Sequence, residues 1–156
     1  MSKKIYSSID SDFPEERALP VVGELPAWLS GNLFRTGPGR YEAVPGGDRV
    51  LTHLFDGYAL VQKVSFARGS AAYRSRLVRS GSLVEAEQAG RPVRSEFGGS
   101  LSFLGRLQSA MAAPIFTDNP NVNIQRVAGQ REYSLFCAEC FARAIVFMTA
   151  NASPPC

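Results

Sequence analysis

The stretch from Gly31 to Leu60 constrains this chain more than any other. It carries two short clusters, Arg35-Thr36-Gly37-Pro38-Gly39 and His53-Leu54-Phe55-Asp56-Gly57. Each sets an ionisable side chain beside glycines, which allow a tight or crowded backbone. Between them, Pro45-Gly46-Gly47-Asp48 is a polar turn. Two readings of Arg35 stand open. Its guanidinium ties loop carbonyls or the Asp56 carboxylate together, or it belongs to an anion site on the glycine backbone. A phosphate-binding loop would need a longer glycine run with lysine and a helix behind it. The proline and the missing helix pattern therefore favour the structural tie.

The flanking chain reads as mainly β with two or three short helices. Residues 1–22 read as a flexible lead. Pro26-Ala27-Trp28-Leu29 predicts one helical turn stopped by Gly31, with Trp28 as a core anchor. Residues 32–35 predict a short strand running into a turn at Gly37-Pro38-Gly39. Residues 60–66 and 72–78 predict a β-hairpin turning at Arg68-Gly69-Ser70, with Arg74, Arg76 and Arg79 on its wet face. Ser82-Leu83-Val84-Glu85 has the capping-box pattern, so a helix is expected over 83–89, stopped by Gly90, Arg91 and Pro92. Residues 93–97 read as a strand.

Leu101, Leu104, Leu107 and Met111 then recur at helical spacing, with Phe103 beside them and Pro114 as the stop. That face suits core packing or a membrane surface. Residues 121–127 and 132–136 predict two strands that pair around Ala128-Gly129-Gln130. From Cys137 onward the strand-and-glycine rhythm gives way to Cys, Ala and Pro. Three segments are expected: 1–22, 23–136 and 137–156.

Bulk properties narrow the function classes. A chain of 156 residues can bury one core. Its net charge of +3 is too weak to imply nucleic acid. The arginine row is either a solvated basic face or a small site for an acidic partner. Cys137, Cys140 and Cys156 are an odd set, which argues against a disulfide framework. Their CxxC lacks the second pair that zinc would want, so no chemical role is favoured over a zinc or redox one. Residues 1–16 lack the apolar core of a secretory signal. The apolar run over 141–150 is broken by Arg143 and falls short of the ~20 residues of a membrane span. A cytoplasmic location, free or peripheral on membranes, is expected.

Several motifs carry a family resemblance. Leu25-Pro26-Ala27-Trp28-Leu29-Ser30-Gly31-Asn32-Leu33 with Arg35-Thr36-Gly37-Pro38-Gly39 resembles the N-terminal signature of the carotenoid cleavage oxygenases. His53-Leu54-Phe55-Asp56-Gly57, Tyr73-Arg74-Ser75-Arg76, Ser95-Glu96-Phe97-Gly98, and Asp118-Asn119 with Val122-Asn123 follow in the family's order. Thr36 departs from the asparagine common there. The resemblance implies a seven-bladed β-propeller, present here as its N-terminal part. It implies oxidative cleavage of a polyene double bond by O₂, or a retinyl ester isomerisation and hydrolysis. It also implies Fe(II) held by four histidines, a carotenoid or retinoid substrate, and attachment to a membrane surface. In the family the membrane-contacting segment lies between the SEFG-like and DN motifs. That position raises the membrane reading of Leu101, Phe103, Leu104, Leu107 and Met111.

The chain has a single histidine, His53, which sits at a position that the resemblance does not make a metal ligand. Four imidazoles with open positions suit Fe(II), and this chain does not supply them. A full propeller also needs ~300 residues at ~40–50 per blade. The expectation is a truncated, inactive product with no catalytic, cofactor or metal residues of its own. The other reading is a non-catalytic short form that binds a membrane surface or a partner.

Overall fold

The computed structural model describes residues 7–47, 51, 53–94, 118–126, 133–136 and 144–146. Its elements are β1 (Arg17–Leu19), β2 (Gly31–Arg40), a 3-10 turn (Leu54–Asp56), β3 (Tyr58–Ala67), β4 (Ser70–Leu77), α1 (Gly81–Ala89), β5 (Asn123–Arg126), β6 (Tyr133–Phe136) and β7 (Ala144–Val146). They form a four-stranded sheet in the order β1-β4-β3-β2 and a three-stranded sheet in the order β5-β6-β7. All pairings are antiparallel. Neither sheet closes on itself among the described residues, as expected for part of a propeller rather than a complete one.

The β3–β4 hairpin forms where the alternation places it. Ala67 pairs with Ser70 across a two-residue turn, with Arg68 at φ 48° and Gly69 at φ 75°. Positive φ at both positions gives a turn whose twist matches the strands. Arg68 is the residue strained by it.

Three local expectations need correction. The Gly37-Pro38-Gly39 run is not a turn that ends a short strand. It continues β2, which passes straight through to Arg40 with a bulge between Pro38 and Arg40. Proline is tolerated there because β2 is the sheet's edge strand. The stretch read as a loose lead is bonded along the sheet. Ser75 and Phe13 exchange hydrogen bonds, Leu77 N donates to Asp12 Oδ2, and Arg17–Leu19 pairs with β4. Trp28 is not a core anchor. It sits on the single turn closed by Leu29 N to Pro26 O and is 80% exposed.

The core explains that exposure. Tyr41, Ala43, Leu51 and Tyr58 pack with Leu83 and Ala86 of α1, and Leu77 and Val93 pad the edge. Thus α1 covers only one end of the sheet. Burial follows: β2 is exposed at Gly31 and buried at Arg40, and β3 is buried at Tyr58 and exposed at Ala67. Leu33 and Trp28 lie at the uncovered end.

α1 begins two residues before the capping box predicts. Ser80 is the cap, and its Oγ accepts from Leu83 N. Glu85 does not reach back to the cap but pairs with Arg94. Gly90 closes the helix in the left-handed region at φ 64°, the usual glycine C-terminus. The expected strand over 93–97, the amphipathic segment with Leu101, Phe103, Leu104, Leu107 and Met111, and all three cysteines lie wholly or largely outside the described residues.

Candidate functional site

Three of the motifs, those around Thr36-Gly37-Pro38, Phe55-Asp56-Gly57 and Asp118-Asn119, meet at one seam, which the segment 118–121 draws together. Asn119 is buried beneath the loop after the 3-10 turn. Its Oδ1 accepts from Ala59 N at 2.9 Å, and its Nδ2 donates to Gly57 O at 2.9 Å. Asn121 Nδ2 donates to Phe55 O at 2.7 Å and to Gly57 O at 2.9 Å. Pro120 O accepts from Thr36 Oγ1 at 3.0 Å. Two asparagines thus satisfy backbone groups of the HLFDG motif that no strand partner reaches, as buried polar groups require.

Asp118 carries the seam to α1. Its carboxylate accepts from Ser82 N and Ser82 Oγ, both at 2.9 Å, and from Gly81 N. These N–H groups belong to the helix's first turn, which lacks intrahelical acceptors. This remote cap explains the early start of α1. Partial burial would raise the Asp118 carboxyl, but the bonds from Ser82 and Gly81 outweigh it and hold the group below its ordinary 3.8. A depressed carboxyl contributes stability above its unfolded-state pKa and loses it as pH falls through the lower folded-state value. Asp118→Asn is therefore expected to flatten the acid limb of the stability curve below about pH 4. Chemical denaturation of both proteins across pH 2–7 would check this, and parallel acid limbs would count against the cap.

The two glycine clusters are fitted to this seam by close approach. A Cβ on Gly57 would lie 2.6 Å from Pro38 Cβ and 2.9 Å from Tyr41 Cε1. One on Gly39 would lie 2.4 Å from Leu60 Cβ. Tyr41 also donates its hydroxyl to Leu54 O at 3.2 Å. Burial pushes the Tyr58 hydroxyl up to about 12, so it stays protonated.

The other singled-out residues fall into place. Arg35 is exposed on β2 opposite Gln62, whereas Asp56 is buried. Arg40 pairs with Tyr58, so Arg35 lies five residues along the strand from the motif, about 17 Å at strand rise. The Arg35–Asp56 tie does not form. Arg40, unremarked in the sequence, is the buried arginine. Its Nη2 donates to Ala43 O at 3.1 Å and to Glu87 Oε1 at 2.7 Å. Glu87 Oε2 meets Arg79 at 3.0 Å. Burial would raise the Glu87 carboxyl, but the two arginines hold it below its usual range. No periodicity marks Arg40. Its one sequence signal is a cation placed directly after the glycines.

His53 is committed to backbone. It caps the 3-10 turn, and its Nδ1 accepts from Phe55 N at 3.3 Å. Its ring meets Phe55 edge-on, with centroids 5.6 Å apart. Among the described residues, no three His, Cys, Asp or Glu side chains converge as metal ligands. The donor set described here does not fit an Fe(II) site. Nor is any helix among those residues long and apolar enough to cross a membrane.

The described residues thus form open antiparallel sheets bound at one end by a loop clamp, a piece of a larger β-sheet protein. The chain matches the family of the retinal pigment epithelial membrane protein, RPE65, over residues 6–140, and it belongs to this family, the carotenoid cleavage oxygenases. It is 38% identical over 120 residues to the mitochondrial carotenoid-cleaving dioxygenase of Pongo abelii, covering 70% of this chain and 21% of that protein. It is 34% identical over 131 residues to the β,β-carotene 15,15'-dioxygenase of Gallus gallus, covering 78% and 24%. A variant of the Synechocystis apocarotenoid oxygenase superposes with a TM-score of 0.71 at 29% identity, over 86% of this chain and 27% of that one. The chain therefore spans about a fifth to a quarter of the length of these curated relatives.

Proposed function

We propose that this chain serves as the N-terminal framework of a carotenoid- or retinoid-cleaving oxygenase. In this reading, oxidative cleavage of a polyene by O₂ belongs to the assembled propeller. Residues 23–136 supply strands and the clamp at 118–121. Fe(II) would supply oxygen activation in the assembled enzyme, on ligands other than those described here. By itself the chain is catalytically silent. The observation that carries this reading is His53: the sole imidazole of 156 residues is used to cap a turn. A cleavage assay tests it. The purified chain with Fe(II), O₂ and β-carotene is expected to release no apocarotenal. The same chain fused to the histidine-bearing remainder of a carotenoid-cleaving relative is expected to do so. Cleavage by the chain alone would overturn the proposal.

The site of action that we infer is the cytoplasmic surface of a membrane, where an apolar substrate resides. The support is the helical spacing of Leu101, Leu104, Leu107 and Met111 with Phe103. Charges on that face would face hydrocarbon. Leu104→Asp with Leu107→Asp is expected to lower liposome partitioning at least about tenfold. Unchanged sedimentation with liposomes would make the face a packing face instead.

A further inference from the structure

One face of the four-stranded sheet changes character along its length. At one end it carries Tyr58 and Leu77, which pack with α1. Side chains alternate across a strand, so Gln62, Val64 and Phe66 follow Tyr58 on that face of β3. A polar row, Arg35, Gln62 and Ser75, crosses the sheet first. Beyond it lie two apolar rows that α1 does not reach. Leu33, Val64 and Tyr73 form one, and Phe66 and Leu19 belong to the next. At their outer ends Leu33 is 51% exposed and Leu19 39%. The link from β1 to β2 returns to this same end, where a Cβ on Gly69 of the hairpin turn would lie 3.6 Å from Leu25 O. That link adds the exposed Trp28 and Val22.

We propose that this uncovered end is the docking surface for the histidine-bearing remainder of the oxygenase, which packs an apolar sheet face against it; the proposal rests on the function given above. Single exposed apolar side chains are ordinary, but a contiguous set marks a contact surface. A sheet buries its apolar face against a second layer, and two sheets pack face to face about 10 Å apart. Here α1 supplies that layer at one end only. The chain covers 21% of one carotenoid-cleaving relative and 27% of the apocarotenoid oxygenase on which it superposes. In a protein of that length, most of the chain is left to supply the missing layer. The chemistry also fits an apolar partner. The charge that ends the Leu33 row is Arg17, and its guanidinium lies 4.1 Å over the Phe13 ring. The Lys63–Glu16 pair belongs to the opposite face, because Lys63 alternates with Gln62 and Val64.

Hydroxyl-radical footprinting, read by mass spectrometry, tests the surface by comparing the full chain with its fusion to the remainder of a relative. Labelling of Trp28 and Leu33 is expected to fall at least about fivefold in the fusion, as for side chains moved from water into a packed interface. Protection of both without polyene cleavage would keep the surface and sink the proposed function. Cleavage with both as reactive as in the chain alone would sink the surface, and a fusion showing neither would sink both. Leu33→Asp gives a second reading. In the chain alone it is expected to leave the melting temperature unchanged, because the side chain is at the surface. In the fusion it is expected to lower it by roughly 5 °C or more, because the carboxylate is buried without a partner. Equal shifts in both proteins would count against docking. Light scattering separates the remaining occupant: a dimer of the chain alone that Leu33→Asp splits would assign the face to a second copy and overturn the proposal.

Discussion

Gly39→Ala is expected to destabilise the fold by about 3 kcal/mol, the upper range for overpacking in a fitted contact. In a chain of this size that lowers the melting temperature by roughly 8 °C. The bulge between Pro38 and Arg40 brings Gly39 over Leu60, so an added Cβ would sit 2.4 Å from Leu60 Cβ and 3.2 Å from Leu60 Cγ and Cδ2. The nearest atom is the stem of the leucine, not its flexible end. Leu60→Ala retains that stem, so the double variant should recover little of the loss. Gly37→Ala is the control on the same strand. A Cβ there meets nothing within 4 Å, so its cost should stay below about 1 kcal/mol, the strand-propensity range. Equal losses at both positions, read by denaturant titration, would mean that strand propensity and not the crowded seam sets the effect.

Asn119→Ala is expected to cost a similar amount, about 3 kcal/mol. It removes two buried hydrogen bonds and leaves Ala59 N without its acceptor, while Gly57 O keeps the bond from Asn121 Nδ2. Asn119→Asp keeps the acceptor for Ala59 N but loses the donor to Gly57 O. It also sets a carboxylate against that carbonyl, so its cost at neutral pH should be no smaller. Hydrogen exchange gives a local reading. Ala59 N–H should exchange faster in Asn119→Ala by more than Val78 N–H does, whose acceptor is Ala59 O on the same strand. Equal acceleration at both amides would point to global destabilisation without a distinct clamp.

Particular residues show what the sequence could convey. The hairpin was legible because Arg68-Gly69 interrupts an alternating pattern locally, and its partners lie next to it in the chain. Part of the propeller was legible as a resemblance because the motifs occur in order. The start of α1 was not legible. It depends on Asp118, whose oxygens reach Gly81 from 37 residues away, and no local cap pattern encodes that. β2 was cut short because Gly-Pro-Gly signals a turn, whereas the edge of a sheet accepts proline. Trp28 reads in the sequence as a core anchor, but α1 covers the opposite end of the sheet and leaves it 80% exposed. Of the candidate site, the motifs were visible, but not their convergence on Asn119 and Asn121. Arg40 was missed because its burial follows from Glu87 on a different element.

These contacts tie the glycine-rich stretch into a framework in which several ionisable groups hold backbone and helix. His53 serves a turn, Asp118 a helix end and Glu87 two arginines. In the function proposed above, iron is held by ligands other than the residues described here. Elemental analysis of the purified full chain, loaded anaerobically with Fe(II) and desalted, measures this directly. The expected result is iron far below one equivalent per chain, unchanged by His53→Ala. One tightly held iron per chain, lost in His53→Ala, would contradict it.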